Sequence, residues 1–232
     1  MKILVFTDIH GSLNSLLALK ETDDFKNADK VVFLGDAVFG CSRPNECIEL
    51  INKLNCECVV GNNDCYVCDH VPDVDMEEFS NEKINQLKWM CDNVSEENKK
   101  ILNSWNKSLE FVINDKKFYF THYAWEIYNN DVNVVDNPIE LNFNIRKEMF
   151  EGIDADYYIF GHEHKTNYFT DGVKHYYCLG TLGLKSPGCY LMINIGKNGV
   201  ELEEKFVDFD IDEEVELMDK AGYPYDKDKI KK

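Results

Sequence analysis

The segment Ile3-Leu4-Val5-Phe6-Thr7-Asp8-Ile9-His10 passes directly from a run of apolar residues to two side chains that commonly bind metal ions. Four later apolar runs end in the same way: Val31–Leu34 before Asp36, Cys58–Val60 before Asn62-Asn63-Asp64, Phe118–Phe120 before His122, and Tyr157–Phe160 before His162 and His164. Short, continuously apolar runs are typical of strands that are buried on both faces. Because ligands at the ends of neighbouring strands can converge on one crevice, the pattern predicts a single metal centre.

The order of the predicted elements indicates two sheets. Strands at residues 2–7, 31–34 and 57–60 are separated by helices at 12–20 and 44–54, an order typical of a mainly parallel sheet. Strands predominate after residue 109, and they are predicted at 109–113, 117–120, 157–160, 166–170, 174–179, 188–195 and 200–207, with one helix at 138–150. The sequence therefore predicts a mixed α/β (α+β) fold in which two mixed sheets pack face to face with helices outside.

Two further segments complete the predicted organisation. Residues 66–80 are acidic and predict a loop, and helices at 81–93 and 96–106 are predicted to form a lid or outer layer. We expect this region, about 66–107, to belong to one domain spanning residues 1–210. Residues 211–232 are predicted to form a C-terminal helix and a tail, and the tail is expected to be loosely held from Tyr223 onward.

The composition excludes several classes of protein. The 232 residues carry a formal charge of −18, which opposes binding to long nucleic acids. Small phosphate esters remain possible substrates, because bound cations dominate the local field. There is no apolar stretch of about 18 residues and no signal peptide, so we expect a cytoplasmic protein that does not cross a membrane. The sequence leaves the oligomeric state open.

Nine cysteines are scattered along the chain. Four of them form a cluster in the sequence: Cys56, Cys58, Cys65 and Cys68. The last two could be redox-active or could join a zinc site. Because the loop with the potential metal ligands separates the two pairs, the sequence favours reduced, partly buried thiols.

The candidate ligands fit a pair of transition metal ions. Asp8 and His10 are two residues apart, a spacing that places both side chains on one side of an extended segment, and His162 and His164 repeat it. Imidazole and carboxylate ligands together suit Mn, Fe, Zn or Ni, with manganese favoured. Two cations about 4 Å apart would neutralise phosphoryl oxygens, hold a bridging water that attacks the phosphorus, and fix the ester for in-line displacement. Each motif alone is weakly specific, but their combination predicts a dinuclear hydrolase.

The series of motifs resembles the calcineurin-like metallophosphoesterases, whose pattern is Asp-x-His, Gly-Asp, Gly-Asn-His-Asp/Glu, His and Gly-His-x-His. Segments such as Thr7–Leu13 and Leu179–Gly183 are similar to the small bacterial and archaeal phosphodiesterase branch. The resemblance covers about residues 1–207 and implies a four-layered αββα sandwich. It implies that one metal is held by Asp8, His10 and His164, that the other is held by Asn62, His122 and His162, and that Asp36 bridges them.

One position departs from this pattern. Asn63 stands where the family usually has a histidine that contacts the phosphate and protonates the leaving group. An amide can donate a hydrogen bond to a phosphoryl oxygen but cannot transfer a proton. Asp64, which would pair with that histidine, is predicted to orient Asn63 or to serve another catalytic role. The missing acid favours substrates whose leaving group does not need a proton.

Several functions remain compatible with the sequence. The leading hypothesis is a phosphodiesterase that acts on small nucleotidic or related diesters. A dinucleoside polyphosphate hydrolase and a phosphomonoesterase are alternatives, although Arg43 and Arg146 are the only arginines available for a polyphosphate chain. A protein of another class, a non-catalytic metal-binding scaffold with the same fold, is the third alternative.

Overall fold

The structure is a computed structural model and describes residues 1–68, 79–124, 143–197 and 199–225. The strands of the first sheet are β1 (Lys2–Phe6), β2 (Lys30–Phe33), β3 (Glu57–Cys58), β9 (Gly188–Gly196) and β10 (Gly199–Val207). Those of the second sheet are β4 (Ser108–Ile113), β5 (Lys116–Thr121), β6 (Tyr157–Phe160), β7 (Asn167–Thr170) and β8 (His175–Cys178). The helices are α1 (Leu13–Glu21), α2 (Asp23–Lys26), α3 (Pro44–Lys53), α4 (Asn62–Cys68), α5 (Asn81–Asn93), α6 (Glu96–Asn103), α7 (Phe143–Met149) and α8 (Ile211–Ala221).

Both sheets are mixed, as the sequence predicted. The first has the order β10-β9-β1-β2-β3, in which β1, β2 and β3 are parallel and β9 runs antiparallel to both β1 and β10. The second has the order β4-β5-β6-β8-β7, in which β5, β6 and β8 are parallel. The parallel strands in each sheet end beside one another, so the loops that follow them are neighbours.

Alternation along the strands explains why the apolar runs are continuous. Ile3 and Val5 of β1 join the core between the two sheets together with Ile159 of β6, whereas Leu4 and Phe6 face the helices on the other side. β1 and β6 are therefore buried on both faces, which leaves almost no position for a charged side chain until these strands end. Helices α1, α3, α5 and α6 cover the first sheet, and α7 covers the second, which gives the predicted αββα layers.

The predicted boundaries were wrong in two places near the first sheet. β3 ends at Cys58 instead of residue 60, and α6 ends at Asn103 instead of residue 106. Beyond both ends, Asn106 forms an isolated parallel bridge with Val59. Its N–H donates to Cys58 O over 3.3 Å, and its carbonyl accepts from Val60 N over 2.8 Å. The acidic loop predicted from residue 66 is also helical through Cys68, where α4 ends, and residues 69–78 lie outside the described residues.

The C-terminal segment differs from the expectation. Tyr223 was predicted to be loosely held, but it is 4% exposed and packs edge-on against Trp89 with 5.0 Å between ring centroids. Residues 226–232 lie outside the described residues. The domain boundary at residue 210 stays a prediction. Across the described ranges, no helix has the length and apolar character that a membrane span requires.

Candidate metal centre

The side chains that the sequence selected follow β1, β2, β3, β5 and β6. Five of these residues have a positive φ, in the left-handed region: Asp8 (54°), His10 (54°), Asp36 (59°), His162 (73°) and His164 (55°). Residues other than glycine rarely adopt this conformation, which costs on the order of 1–3 kcal/mol each and clusters at functional sites. The sequence analysis expected Asp8 and His10 to share a side because their segment is extended. That reason was wrong, since the segment is not extended at these residues. The two side chains converge because both residues turn the backbone.

One group of ligand atoms surrounds Asp8. Single ligand atoms of Asp8, His10, Asp36 and His164 all lie within 4.8 Å of one another. The Nε2 atoms of His10 and His164 are 2.9 Å apart, and His164 Nε2 lies 3.2 Å from Asp8 Oδ1. A single cation could reach all four side chains.

A second group surrounds the amide of Asn62. Its Oδ1 lies 3.0 Å from His122 Nε2 and 3.0 Å from His162 Nδ1. Asp36 Oδ2 is 3.5 Å from His122 Nε2 and 3.9 Å from His10 Nε2, so this one oxygen faces both groups. The two groups therefore share the Asp36 carboxylate.

The hydrogen bonds around these groups fit divalent cations. Asp8 Oδ2 accepts from Thr7 Oγ1 over 2.7 Å and from the His162 backbone over 3.1 Å, whereas Asp8 Oδ1 is buried and has no hydrogen-bond partner. An unpartnered buried carboxylate oxygen is costly, and a cation would satisfy it.

The imidazole rings are oriented to serve as ligands. His10 Nδ1 lies 3.1 Å from Val38 O, and His122 Nδ1 lies 2.7 Å from Leu34 O. Because a carbonyl oxygen can only accept, each Nδ1 carries the proton in the neutral ring, and the Nε2 lone pair faces the centre. Second contacts of this kind fix both the ring orientation and the tautomer of metal-binding histidines.

The electrostatics keep the carboxylates ionised. Burial alone would raise the pKa of the Asp8 carboxyl, but the neighbouring His164 and His10 hold that pKa well below its usual range. Burial likewise opposes ionisation of Asp36, and His122 outweighs it, so the pKa of Asp36 is also lowered. Burial, reinforced by the charge of His122, lowers the pKa of His162 to about 3 and keeps that imidazole neutral. The centre thus combines negative oxygens with a neutral nitrogen ligand.

Two glycines allow the loops to approach this closely. A Cβ atom on Gly61 would lie 2.1 Å from Asp36 Oδ1. A Cβ atom on Gly161 would lie 2.2 Å from Thr7 Oγ1 and 2.7 Å from Asp8 Oδ2. Side chains at either position would displace a carboxylate of the centre.

Asn63 and Asp64 both form hydrogen bonds with Asp36. Asn63 donates from its Nδ2 to Asp36 Oδ2 over 2.5 Å and from its backbone N–H to Asp36 Oδ1 over 3.0 Å. The Asp64 carboxylate accepts from the backbone N–H groups of Asp36, Ala37 and Gly61, each over 2.9 Å. Burial, assisted by the charge of Asp36, raises the pKa of Asp64 to about 7, while the N–H donors oppose the rise. Asp64 thereby ties the loop after β2 to the turn before α4. The contact between Asn63 and a phosphoryl oxygen stays a prediction.

The sequence did not reveal the pair formed by Glu163 and Arg146. Glu163 lies between the two histidines of the Gly-His-x-His motif, and its carboxylate accepts two hydrogen bonds from Arg146, over 2.5 Å and 2.6 Å. Arg146 is fully buried on α7, and its guanidinium lies 4.8 Å from the Phe160 ring centroid. The pair holds the loop that carries His162 and His164. The only signal in the sequence was that Arg146 is one of two arginines.

Comparison with known proteins gives a family match over most of the chain. A sequence model of the calcineurin-like phosphoesterase superfamily domain matches residues 1–201. The uncharacterized protein MJ0912 of Methanocaldococcus jannaschii is 35% identical over 120 residues, which are 52% of this chain and 48% of that protein. The aligned part thus spans about half the length of this relative.

Solved structures share the fold. The hypothetical protein PH1004 of Pyrococcus horikoshii OT3 superimposes with a TM-score of 0.80 at 17% identity, covering 99% of this chain and 96% of that chain. A metallophosphoesterase from Sphaerobacter thermophilus has a TM-score of 0.70 at 21% identity, covering 97% of this chain and 95% of that chain. At these identities the likeness concerns the fold alone.

Proposed function

The chain belongs to the calcineurin-like phosphoesterase superfamily, and from that premise we propose that it is a metal-dependent phosphodiesterase for small nucleotidic or related diesters. One observation supports the metal centre above all others. Asp36 Oδ2 faces both His10 and His122, while the buried Asp8 Oδ1 accepts no hydrogen bond and lies 3.2 Å from His164 Nε2. Two cations placed on either side of Asp36 would satisfy both features.

The proposed ligands divide into two sets. Asp8, His10 and His164 would hold one cation, Asn62, His122 and His162 would hold the other, and Asp36 would contact both. We propose manganese as the metal. Iron, zinc and nickel are alternatives, because imidazole and carboxylate ligands suit all four metals. When bound, such cations supply Lewis-acid chemistry, since they neutralise phosphoryl oxygens and lower the pKa of water. Two backbone carbonyls, those of Val38 and Leu34, orient the imidazole rings of His10 and His122. Three backbone N–H groups donate to Asp64 and hold the adjoining loops together.

The preference for diesters rests on Asn63. Its side-chain amide donates to Asp36 and carries no proton that it can release at neutral pH. A phosphate ester with a poor leaving group needs a proton at the leaving oxygen, whereas a nucleoside phosphate or a nitrophenolate needs it much less. The site therefore favours esters with a stable leaving group, and among such esters we propose small diesters.

The contacts of the two arginines weigh against a dinucleoside polyphosphate as the main substrate. Arg43 pairs with Glu214 over 2.5 Å, and Arg146 pairs with Glu163 over 2.5 Å. A guanidinium held in such a pair is not available to bind a polyphosphate chain. Incubation with diadenosine tetraphosphate, followed by chromatography, would separate this candidate from the proposed one.

Hydrolysis of bis-p-nitrophenyl phosphate tests the proposal. Metal-stripped protein should be inactive, Mn²⁺ should restore turnover, and Asp36→Asn should abolish it. Asp115→Asn is the matched control, because Asp115 lies in an exposed turn with φ of 60°, close to the 59° of Asp36. Full activity of Asp36→Asn would contradict the proposal. Tight Mn²⁺ binding without turnover of any ester would instead favour the non-catalytic scaffold.

A further inference from the structure

Tyr223, which follows α8 and Gly222, contacts the loop that contains Gly40 and lies behind the metal centre. The Tyr223 hydroxyl accepts a hydrogen bond from the backbone N–H of Gly40 over 2.8 Å. Tyr223 is 4% exposed, and its ring is fixed by Trp89, so the hydroxyl has a defined position. Nothing in the chemistry proposed above uses this tyrosine.

The loop that Tyr223 contacts encloses His10. A Cβ atom on Gly40 would lie 2.8 Å from His10 Cβ, and Gly40 adopts a φ of 97° that few other residues accept. The neighbours of Gly40 bond to His10 directly. Cys41 N donates to His10 O over 2.6 Å, and Val38 O accepts from the ring Nδ1–H of His10 over 3.1 Å. A shift of this loop would therefore move the imidazole.

A buried glutamate holds α8 in place beside the same loop. Glu214 is fully buried, and its Oε1 accepts from Asn14 N over 2.8 Å and from Ser12 Oγ over 3.2 Å. The same oxygen accepts from Arg43 over 2.5 Å. These partners stand just before α3 and around the start of α1, the helix that follows His10. The C-terminal segment thus contacts the loop at Gly40 and just beyond it at Arg43.

We propose that Tyr223 is a positioning residue for His10, and that through His10 it sets the affinity of the cation site formed with Asp8 and His164. This inference rests on the proposed metal centre and adds a residue to it. Tyr223 acts through the Gly40 N–H and does not touch substrate. Because its contacts lead to His10 and not to Asn62, its influence is confined to one of the two sites. Direct hydrogen-bond partners of a metal ligand typically change metal affinity by about 10- to 100-fold, and because Tyr223 lies one contact further away we expect the lower end of this range.

Calorimetric titration of the metal-stripped full chain with Mn²⁺ tests the proposal without relying on activity. Wild-type protein should bind two ions. Tyr223→Phe should weaken one of them roughly tenfold and leave the other unchanged. Tyr190→Phe is the matched control, because Tyr190 is also buried and its hydroxyl donates to Asp24 on α2 over 2.8 Å. The control should retain both affinities.

Four results would overturn the inference, and they are distinguishable. Unchanged Mn²⁺ affinity in Tyr223→Phe, with only a lower melting temperature, would make the tyrosine a packing residue alone. Equal weakening of both sites would show that the effect does not pass through His10. Failure of the wild type to bind two ions would remove the proposed function and this inference with it. If Tyr223→Phe does not fold, Glu214→Gln should weaken the same single site, and unchanged affinities in that variant would also overturn the inference.

Discussion

The side-chain amide of Asn63 lies 2.5 Å from Asp36 Oδ2, the carboxylate oxygen that faces both groups of metal-type ligands. The residue that replaces the usual acid of the family is therefore bonded to the carboxylate shared by both groups. Its backbone N–H contacts the other oxygen of the same carboxylate over 3.0 Å. Asn63 thus orients both oxygens of the Asp36 carboxylate.

Replacing Asn63 by histidine should raise monoester cleavage relative to diester cleavage. An imidazole at this position restores a proton donor, and general acid catalysis typically contributes about 10²- to 10⁴-fold. We expect the ratio of kcat/KM for glycerol phosphate to that for bis-p-nitrophenyl phosphate to rise by at least about tenfold. Asn63→Gln, which retains an amide, is the control and should not raise the ratio. An unchanged ratio in Asn63→His would show that the leaving group receives its proton from another group.

A methyl group at Gly161 should disrupt the centre. Its Cβ would lie 2.2 Å from Thr7 Oγ1 and 2.7 Å from Asp8 Oδ2, so the Asp8 carboxylate must move. We expect Gly161→Ala to lose measurable Mn²⁺ binding at the site that includes Asp8, as followed by calorimetry. Gly196→Ala is the control, because a Cβ there meets no atom within 4 Å. Normal Mn²⁺ binding by Gly161→Ala would mean that Asp8 is not a ligand in the conformation described.

Breaking the pair between Glu163 and Arg146 should destabilise the protein. Arg146 is fully buried, so Glu163→Gln leaves a charged guanidinium without its counter-ion. Removing one partner of a buried ion pair typically costs about 3–5 kcal/mol of unfolding free energy. Urea denaturation of the metal-free protein measures this loss. Asp154→Asn, which removes the exposed partner of Lys117, is the control and should cost far less, because water screens an exposed ion pair. Equal losses in the two variants would contradict a buried, essential pair.

The cysteine pair of α4 should not take part in metal binding. All nine cysteines lie among the described residues, and none forms a disulfide. Within the described ranges, the one group of three or more His, Cys, Asp or Glu side chains close enough to share an ion contains no cysteine. We therefore expect the double variant Cys65→Ala, Cys68→Ala to retain two metal ions per chain by elemental analysis. Loss of one equivalent of zinc would support the structural zinc site that the spacing also allows.

The strands and the clustering of polar side chains at their ends were predictable for one physical reason. β1, β2, β5 and β6 are buried on both faces, so their sequences are apolar until the chain leaves the sheet, and the first polar side chains appear at the exits. Periodicity alone could not locate the end of β3 or the start of α4. Asn62-Asn63-Asp64 has the composition of a turn, and the bonds that Asn63 and Asp64 form with the distant Asp36 at the start of the helix have no local signal in the sequence.

Contacts between residues distant in the sequence account for what remained hidden. Glu163 and Arg146 are 17 residues apart, and Arg43 and Glu214 are 171 apart. No local pattern indicates which acid meets which arginine. The left-handed conformations of Asp8, His10 and His164 were equally inaccessible, because they are imposed by loops that meet only in the folded protein.

The most direct test compares hydrolysis of bis-p-nitrophenyl phosphate and p-nitrophenyl phosphate by metal-stripped protein reloaded with Mn²⁺. A dinuclear phosphodiesterase should show no activity before reloading and should then cleave the diester well above the monoester. Cleavage of the monoester at a comparable or higher rate would contradict this assignment and would indicate a phosphatase.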